Sequence, residues 1–212
     1  MAPALSFLNP MPTYRPFRLL PILSFAAVLA GCATTGTNTP NANVPVAAYR
    51  DTVDFSGSLS VSYQQDGQAH NDTVRYSWSQ RPDNIDVTIT GPLGQTLATL
   101  HVTPQAATLT QPDRVPRTAK DIDTLTAQTL GYALPVNGLR DWMQGYATDA
   151  NGQRFTASPA NNEVFTKDGW RLRFAEWQGN AATPMPRRIS AGRSATASSG
   201  EMQINISITP AS

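Results

Sequence analysis

The chain has 212 residues with 16 basic side chains, 15 acidic side chains, one cysteine and a net charge of +1. This near balance, with no clustered basic face, excludes a typical nucleic-acid-binding protein. A single cysteine excludes a disulfide within one copy.

The first 31 residues have the pattern of a secretory leader, with Arg15 and Arg18 ahead of an apolar run at 19–29 that is too short to span a bilayer. The sequence LAGC at 29–32 resembles the lipobox of bacterial lipoproteins. The resemblance implies cleavage before Cys32, lipidation of its thiol and acylation of the new amino terminus. The alternative is an ordinary secretory signal followed by an incidental cysteine.

Residues 32–48 are predicted to be the lipidated N-terminus and a tether, followed by one domain at 49–212. The stretch at 33–46 has no charge and little bulk, so we expect a flexible linker with a reach of about 20 Å. Position 33 is Ala. An acidic residue there favours inner-membrane retention in many bacterial lipoproteins, so Ala33 favours the outer membrane.

Alternating apolar and polar residues then predict antiparallel strands. They cover 55–63, 74–78, 85–89, 97–102 and 107–110, with polar turns predicted at 64–71 and 81–84. The third and fourth strands flank the tip Gly91-Pro92-Leu93-Gly94, whose glycines and proline permit a tight reversal. Leu93 has no local packing partner. It either folds back onto the core or projects outward to contact a membrane or an apolar ligand.

The periodicity changes to a helical one after Pro116. Thr118 and Asp121 are predicted to cap a helix that runs to Leu130 and is closed by Gly131. A second short helix is predicted at 136–144. Helices this short are marginal alone, so their apolar faces must lie on another element.

Strand patterns return in the C-terminal part. They are predicted at 154–156, 164–165, 170–175 and 202–208, with a short edge strand around Ile189 and a mobile loop at 190–200. The whole pattern, eight to eleven strands with one helical interruption, predicts a mainly β fold. We expect an incomplete, open antiparallel β-barrel covered by a helical lid.

The lipobox, the Gly-Pro-Leu-Gly hairpin and the run LGYALPVNGLRDWMQG at 130–145 together resemble the LolB family of outer-membrane lipoproteins. The resemblance covers residues 53–177. Two features depart from the family pattern. The segment at 41–54 has only a faint helical signal where the family often has a polar helix, and the usual aromatic residue near the C-terminus is missing.

The resemblance implies a relay protein anchored at the periplasmic face of the outer membrane. It would take acylated lipoproteins from the periplasmic carrier LolA into an apolar cavity and release them into outer-membrane phospholipid. Leu93 matches the family's membrane-inserting leucine. The other expectations are a monomer, no cofactor beyond the lipid on Cys32, and no catalytic residue, metal or nucleic-acid partner.

Apolar residues on the predicted strands and helices are the candidates for the acyl-chain cavity, although each could instead pack in an ordinary core. They are Tyr76, Trp78, Val87, Ile89, Leu100, Leu125, Leu130, Leu139, Trp142, Met143, Trp170, Leu172 and Phe174.

Three other functions are compatible with parts of the pattern. The first is an envelope lipoprotein that binds lipid or a small apolar ligand without a transfer role. The second is an enzyme, for which His70 and His101 are the available imidazoles but no nucleophile elbow or metal-ligand spacing is present. The third is a purely structural envelope protein.

Overall fold

The fold is built around one long antiparallel sheet, seen in a computed structural model that describes residues 42–65, 67–130, 132–196 and 200–210. The leader, Cys32, most of the tether and Gly131 lie outside these ranges, as does part of the loop predicted at 190–200. The described residues all belong to one compact unit that spans 36–212. Within them, no helix has both the length and the apolar character needed to cross a bilayer.

Within the described ranges the chain forms twelve strands and two helices. In chain order these are β1 (Val53–Gln65), β2 (Gln68–Gln80), β3 (Ile85–Thr90), β4 (Thr96–Val102), β5 (Ala107–Thr110), β6 (Arg117–Ala119), α1 (Ile122–Leu130), α2 (Val136–Trp142), β7 (Tyr146–Thr148), β8 (Arg154–Thr156), β9 (Glu163–Phe165), β10 (Arg171–Asn180), β11 (Thr183–Arg193) and β12 (Met202–Pro210).

Ten strands form the main sheet in the order β6-β5-β4-β3-β2-β1-β12-β11-β10-β9, and β7 and β8 form a separate hairpin. The first and last long strands meet at its centre, where β1 pairs with β12 from Phe55↔Pro210 to Tyr63↔Met202. In the described part of the chain the edge strands β6 and β9 do not pair with each other. The prediction of an open antiparallel barrel with a helical lid is therefore confirmed.

Side-chain alternation along each strand separates a buried face from an exposed one. In β12, Met202, Ile204, Ile206 and Ile208 are buried, while the residues between them are exposed or partly exposed. Every strand that carries such a row adds to one apolar core. The two helices bury Ile122, Leu125, Val136, Leu139 and Trp142 against it.

Several predicted boundaries were wrong. The turn predicted at 64–71 is much shorter, because β1 and β2 continue pairing as far as Gln65↔Gln68. The strand predicted at an edge around Ile189 is instead the long β11, which lies between β10 and β12 and includes residues 190–193 of the predicted loop.

The helix start was also misplaced at one residue. Thr118 belongs to β6 and does not cap α1. Asp121 is the cap, since its Oδ1 accepts a hydrogen bond from the Thr124 backbone N–H at 2.8 Å. Helix α2 begins at Val136 as predicted and ends at Trp142.

Candidate functional site

An apolar cavity of about 40 Å³ lies between the inner face of the sheet and the helical lid. Its sheet wall consists of Leu59, Val74, Tyr76, Trp78, Val87, Ile89, Leu100 and Ile206, and its lid wall of Leu134, Val136, Leu139 and Met143. Leu134 belongs to the linker between the helices, and the other three lid residues lie on or directly after α2. The cavity is therefore bordered by β1–β4 and β12 on one side and by α2 and the linker before it on the other.

Seven of the thirteen residues predicted for an acyl-chain cavity line this one: Tyr76, Trp78, Val87, Ile89, Leu100, Leu139 and Met143. The structure places the other six outside its lining. Leu125, Trp142, Trp170, Leu172 and Phe174 are buried in the core, and Leu130 is partly buried at the end of α1.

Five further lining residues were not among the predicted set: Leu59, Val74, Leu134, Val136 and Ile206. Four of them lie in apolar patterns that the sequence shows clearly, namely the alternation of β1, β2 and β12 and the stripe of α2. Leu134 is the exception, since the linker has no periodicity that would mark it. Alternation identifies the inward face, but it does not identify which inward side chains border a void.

Side-chain hydrogen bonds join the two helices of the lid. Thr126 Oγ1 on α1 accepts a hydrogen bond from the Leu134 N–H at 3.0 Å, and Asp123 Oδ1 accepts one from the Val136 N–H at 3.1 Å. The Val136 N–H also donates to the Leu134 carbonyl at 2.8 Å, so Asp123 adds a second acceptor at the start of α2, where Pro135 offers no side-chain cap. We expect α1, the linker and α2 to move as one piece.

Asp123 makes this junction sensitive to pH. Partial burial raises the pKa of its carboxyl group, and the backbone N–H groups of Val136 and Asn137 oppose the rise. Because the folded pKa is above the unfolded one, the ionised carboxylate costs folding free energy at neutral pH. That cost disappears as the pH falls through the raised pKa.

Asp123→Asn should therefore increase the urea midpoint of unfolding at neutral pH, with the difference from wild type shrinking towards acidic pH. The amide oxygen of Asn can still accept the Val136 N–H. Asp121→Asn is the matched control with the opposite sign. Hydrogen bonds from Thr124 lower the pKa of Asp121, so its carboxylate stabilises the fold above the unfolded pKa and this variant should lose stability at neutral pH. The same sign for both variants would contradict this account.

The segment that precedes β1 is fastened to the end of the lid. Gln144, just after α2, accepts a hydrogen bond from the Arg50 N–H and donates one to the Arg50 carbonyl, each at 3.0 Å. On the lid, Arg140 Nε donates to the hydroxyl of Tyr49 at 3.2 Å. The Val46 N–H donates to the Ala157 carbonyl at 2.9 Å. Tyr49 and Arg50, at the start of the predicted domain, thus contact the lid. Val46, at the end of the predicted flexible linker, is instead buried in the core.

The β3–β4 hairpin tip holds Leu93 away from the rest of the molecule. Gly94 N–H donates to the Gly91 carbonyl at 3.0 Å, which closes a turn with Pro92 and Leu93 at its centre, and Gly94 has a positive φ of 84° that favours glycine. Leu93 is 93% exposed. The side chain therefore projects outward and does not fold back onto the core, and its contact with a membrane or an apolar ligand stays a prediction.

Of the two imidazoles considered for catalysis, that of His101 lies on the opposite face of the sheet from the cavity. His101 Nδ1 is 2.6 Å from Asp86 Oδ1, and both side chains are more than half exposed. Their neighbours Val87 and Leu100 line the cavity, so alternation directs the pair outward. The pair forms a surface contact across β3 and β4.

A curved open sheet with an apolar cavity beneath a short helical lid defines a class of proteins suited to enclosing an apolar ligand. The family model described as "Outer membrane lipoprotein LolB" matches residues 51–209. The chain belongs to the LolB family.

Relatives and solved structures give further comparisons. An "Outer-membrane lipoprotein LolB" from Cupriavidus taiwanensis is 33% identical, with the match covering 89% of this chain and 93% of the relative. One from Cupriavidus necator is 36% identical, covering 74% and 78%. A solved LolA superfamily protein from Nitrosomonas europaea has a TM-score of 0.45 at 12% identity, covering 77% of this chain and 86% of that one.

Proposed function

We propose that this protein receives acylated lipoproteins from the periplasmic carrier LolA and inserts them into the inner leaflet of the outer membrane. It acts as a monomer held at the periplasmic face by lipid on Cys32. The observation that carries the proposal is the apolar cavity beneath the lid in a chain of the LolB family. The relatives' shared description as outer-membrane lipoproteins supports the location.

Acyl chains suit the cavity because its lining consists of aliphatic and aromatic side chains. An acyl chain loses about 0.8 kcal/mol for each methylene that meets water, so a dozen methylenes amount to roughly 10 kcal/mol. A carrier must therefore keep the chains out of water throughout the transfer. The buried residues Trp78, Leu100 and Met143 offer contacts that replace those with lipid.

The lid must move before such a chain can enter. The cavity holds about 40 Å³, whereas pockets for ligands of drug size measure about 300–1,000 Å³. The structure therefore corresponds to a closed state in which Val136 and Leu139 rest on the sheet. Displacing α2 would open the space between the lid wall and the sheet wall.

We assign release of the lipoprotein into the membrane to the β3–β4 tip. Burying a leucine side chain in an apolar medium gains about 1.5–3 kcal/mol, which is enough to bias the orientation of a tethered domain but too little to hold it. Leu93 therefore inserts into the bilayer reversibly. The covalent lipid on Cys32 supplies the lasting attachment.

Depletion of the protein followed by cell fractionation tests the proposal. We expect outer-membrane lipoproteins to accumulate in the periplasm in complex with their carrier, because the next acceptor is missing. Normal arrival of these lipoproteins in the outer membrane would contradict a transfer role.

A binding measurement tests the cavity separately from the transfer. An apolar fluorophore bound to the purified protein should be displaced by an acylated peptide and not by the same peptide without its acyl chains. Displacement together with normal lipoprotein sorting in depleted cells would indicate a lipid-binding lipoprotein without a transfer role.

A further inference from the structure

One polar group in the cavity lining has no partner. Trp78 is 3% exposed and lines the cavity, and its indole Nε1–H finds no acceptor among the described residues. A buried donor without an acceptor destabilises the state that contains it, because it has lost its hydrogen bond to water. Such a group in a binding cavity indicates an acceptor that arrives with the ligand.

The neighbouring hydroxyl in the lining is already occupied. Tyr76, two residues before Trp78 on the same face of β2, donates its hydroxyl to the Ser207 carbonyl at 2.9 Å. The remaining lining residues are aliphatic or Met. The closed cavity itself is bordered by apolar atoms, so within the described lining the Trp78 indole is the unpaired donor that a ligand would reach once the lid has moved.

Polarity changes along the inner face of β2 at this residue. Val74, Tyr76 and Trp78 line the apolar cavity, but the next inward residue, Gln80, is fully buried in a polar network. Its Nε2 donates to the Tyr49 hydroxyl at 3.1 Å and to the Arg50 carbonyl at 3.3 Å. Trp78 therefore lies where the apolar wall meets the polar segment that precedes β1.

A ligand with an apolar tail and a polar head matches this change from apolar to polar side chains along β2 in only one orientation. Its tail would lie along Val74 and Ile89, and the first polar atoms at its head would reach Trp78. In an acyl chain those atoms are the carbonyl group of an ester or an amide, and a carbonyl oxygen is an acceptor for an indole N–H.

We infer that Trp78 donates a hydrogen bond to the carbonyl oxygen of a bound acyl group and so distinguishes acyl chains from plain alkyl chains. The inference rests on the proposed function, because the ligand is the acyl group of the cargo. Trp78 binds and positions the ligand at its head, and the apolar walls hold the tail.

Two ligands that differ at the carbonyl test this role. We would measure displacement of an apolar fluorophore by 1-palmitoylglycerol, an ester, and by 1-O-hexadecylglycerol, the ether with the same headgroup. The wild type should bind the ester about fivefold to tenfold more tightly, a ratio typical of one hydrogen bond. Trp78→Phe should bind both with the affinity that the wild type has for the ether.

Trp177→Phe is the matched control, since Trp177 is half-buried and does not line the cavity; it should keep the preference. Equal affinity of the wild type for ester and ether would overturn the role of Trp78 and leave the acyl cavity standing. Failure of both ligands to bind the wild type would contradict the proposed function itself.

NMR of the indole N–H groups in the ¹⁵N-labelled wild type tests the same hydrogen bond and does not require Trp78→Phe to fold. The chain has four tryptophans, so the Trp78 signal can be assigned by elimination with Phe variants of the other three. The ester should shift the Trp78 N–H proton downfield, as hydrogen bonding does, and the ether should not. An unchanged Trp78 signal on saturation with the ester would overturn the inference.

Discussion

Leu93→Glu is expected to accept cargo normally and to deliver it to membranes roughly ten to a hundred times more slowly. The factor follows from losing the 1.5–3 kcal/mol gained by burying a leucine side chain. Leu93 is 93% exposed at the hairpin tip, so the substitution leaves the core and the cavity unchanged. Transfer from a loaded carrier to vesicles, measured beside uptake from the carrier alone, separates the two steps.

Val115→Glu provides the matched control for this variant. Val115 is 85% exposed on the loop between β5 and β6. The substitution therefore places the same charge at a similarly exposed apolar position. Because we assign membrane contact to the β3–β4 tip, delivery should remain close to the wild-type rate. Equal loss in both variants would show that any added charge on this surface slows delivery, and unimpaired delivery by Leu93→Glu would remove the assigned role of the tip.

Phe174→Ala is expected to cost about 3–5 kcal/mol of folding free energy while leaving the ligand affinity of the folded fraction unchanged. Phe174 is fully buried. Its ring stacks with Phe155 at a centroid distance of 6.2 Å and contacts Trp177 at 6.3 Å. A cost of this size is a large share of the 5–15 kcal/mol by which domains are typically stable. Urea unfolding measures the loss, and fluorophore titration of the folded protein measures the affinity.

Leu100→Ala is the comparison that separates core from cavity. Leu100 is also buried but lines the cavity, so the variant should lose about 2–5 kcal/mol of stability. It should also bind the apolar fluorophore more tightly, because the enlarged cavity reduces the movement required of the lid. If Phe174→Ala altered affinity and Leu100→Ala did not, the cavity would have to lie nearer β10 than the structure has it.

Much of the fold follows from local patterns. The alternation in β1, β3 and β12 predicts strands because a period of two puts one face of each on the core. The turn around Pro92 follows from residues that preset its geometry. The apolar stripe of α2 likewise predicts a short helix that needs a surface to cover.

Strand pairing overrode local composition at two places. The stretch 64–71 looks like a turn because it is mostly polar and contains a glycine, but residues 68–71 pair with β1, as at Tyr63↔His70. Thr118 is a good capping residue in isolation, yet β6 pairs it with Thr108, and their hydroxyl oxygens are 3.1 Å apart. A partner strand supplies hydrogen bonds that a short window of sequence does not contain.

The sequence by itself determined the mainly β architecture, the lid helices and the inward face of each strand, because these depend on side-chain periods of two and 3.6 residues. Only the tertiary structure decided which inward residues border a void. A void is the volume left when distant strands and helices pack: Leu139 meets it, whereas Phe174 faces Phe155 and Trp177. The exposure of Leu93 was also decided there, because its turn places the side chain at the tip and no other element among the described residues covers it.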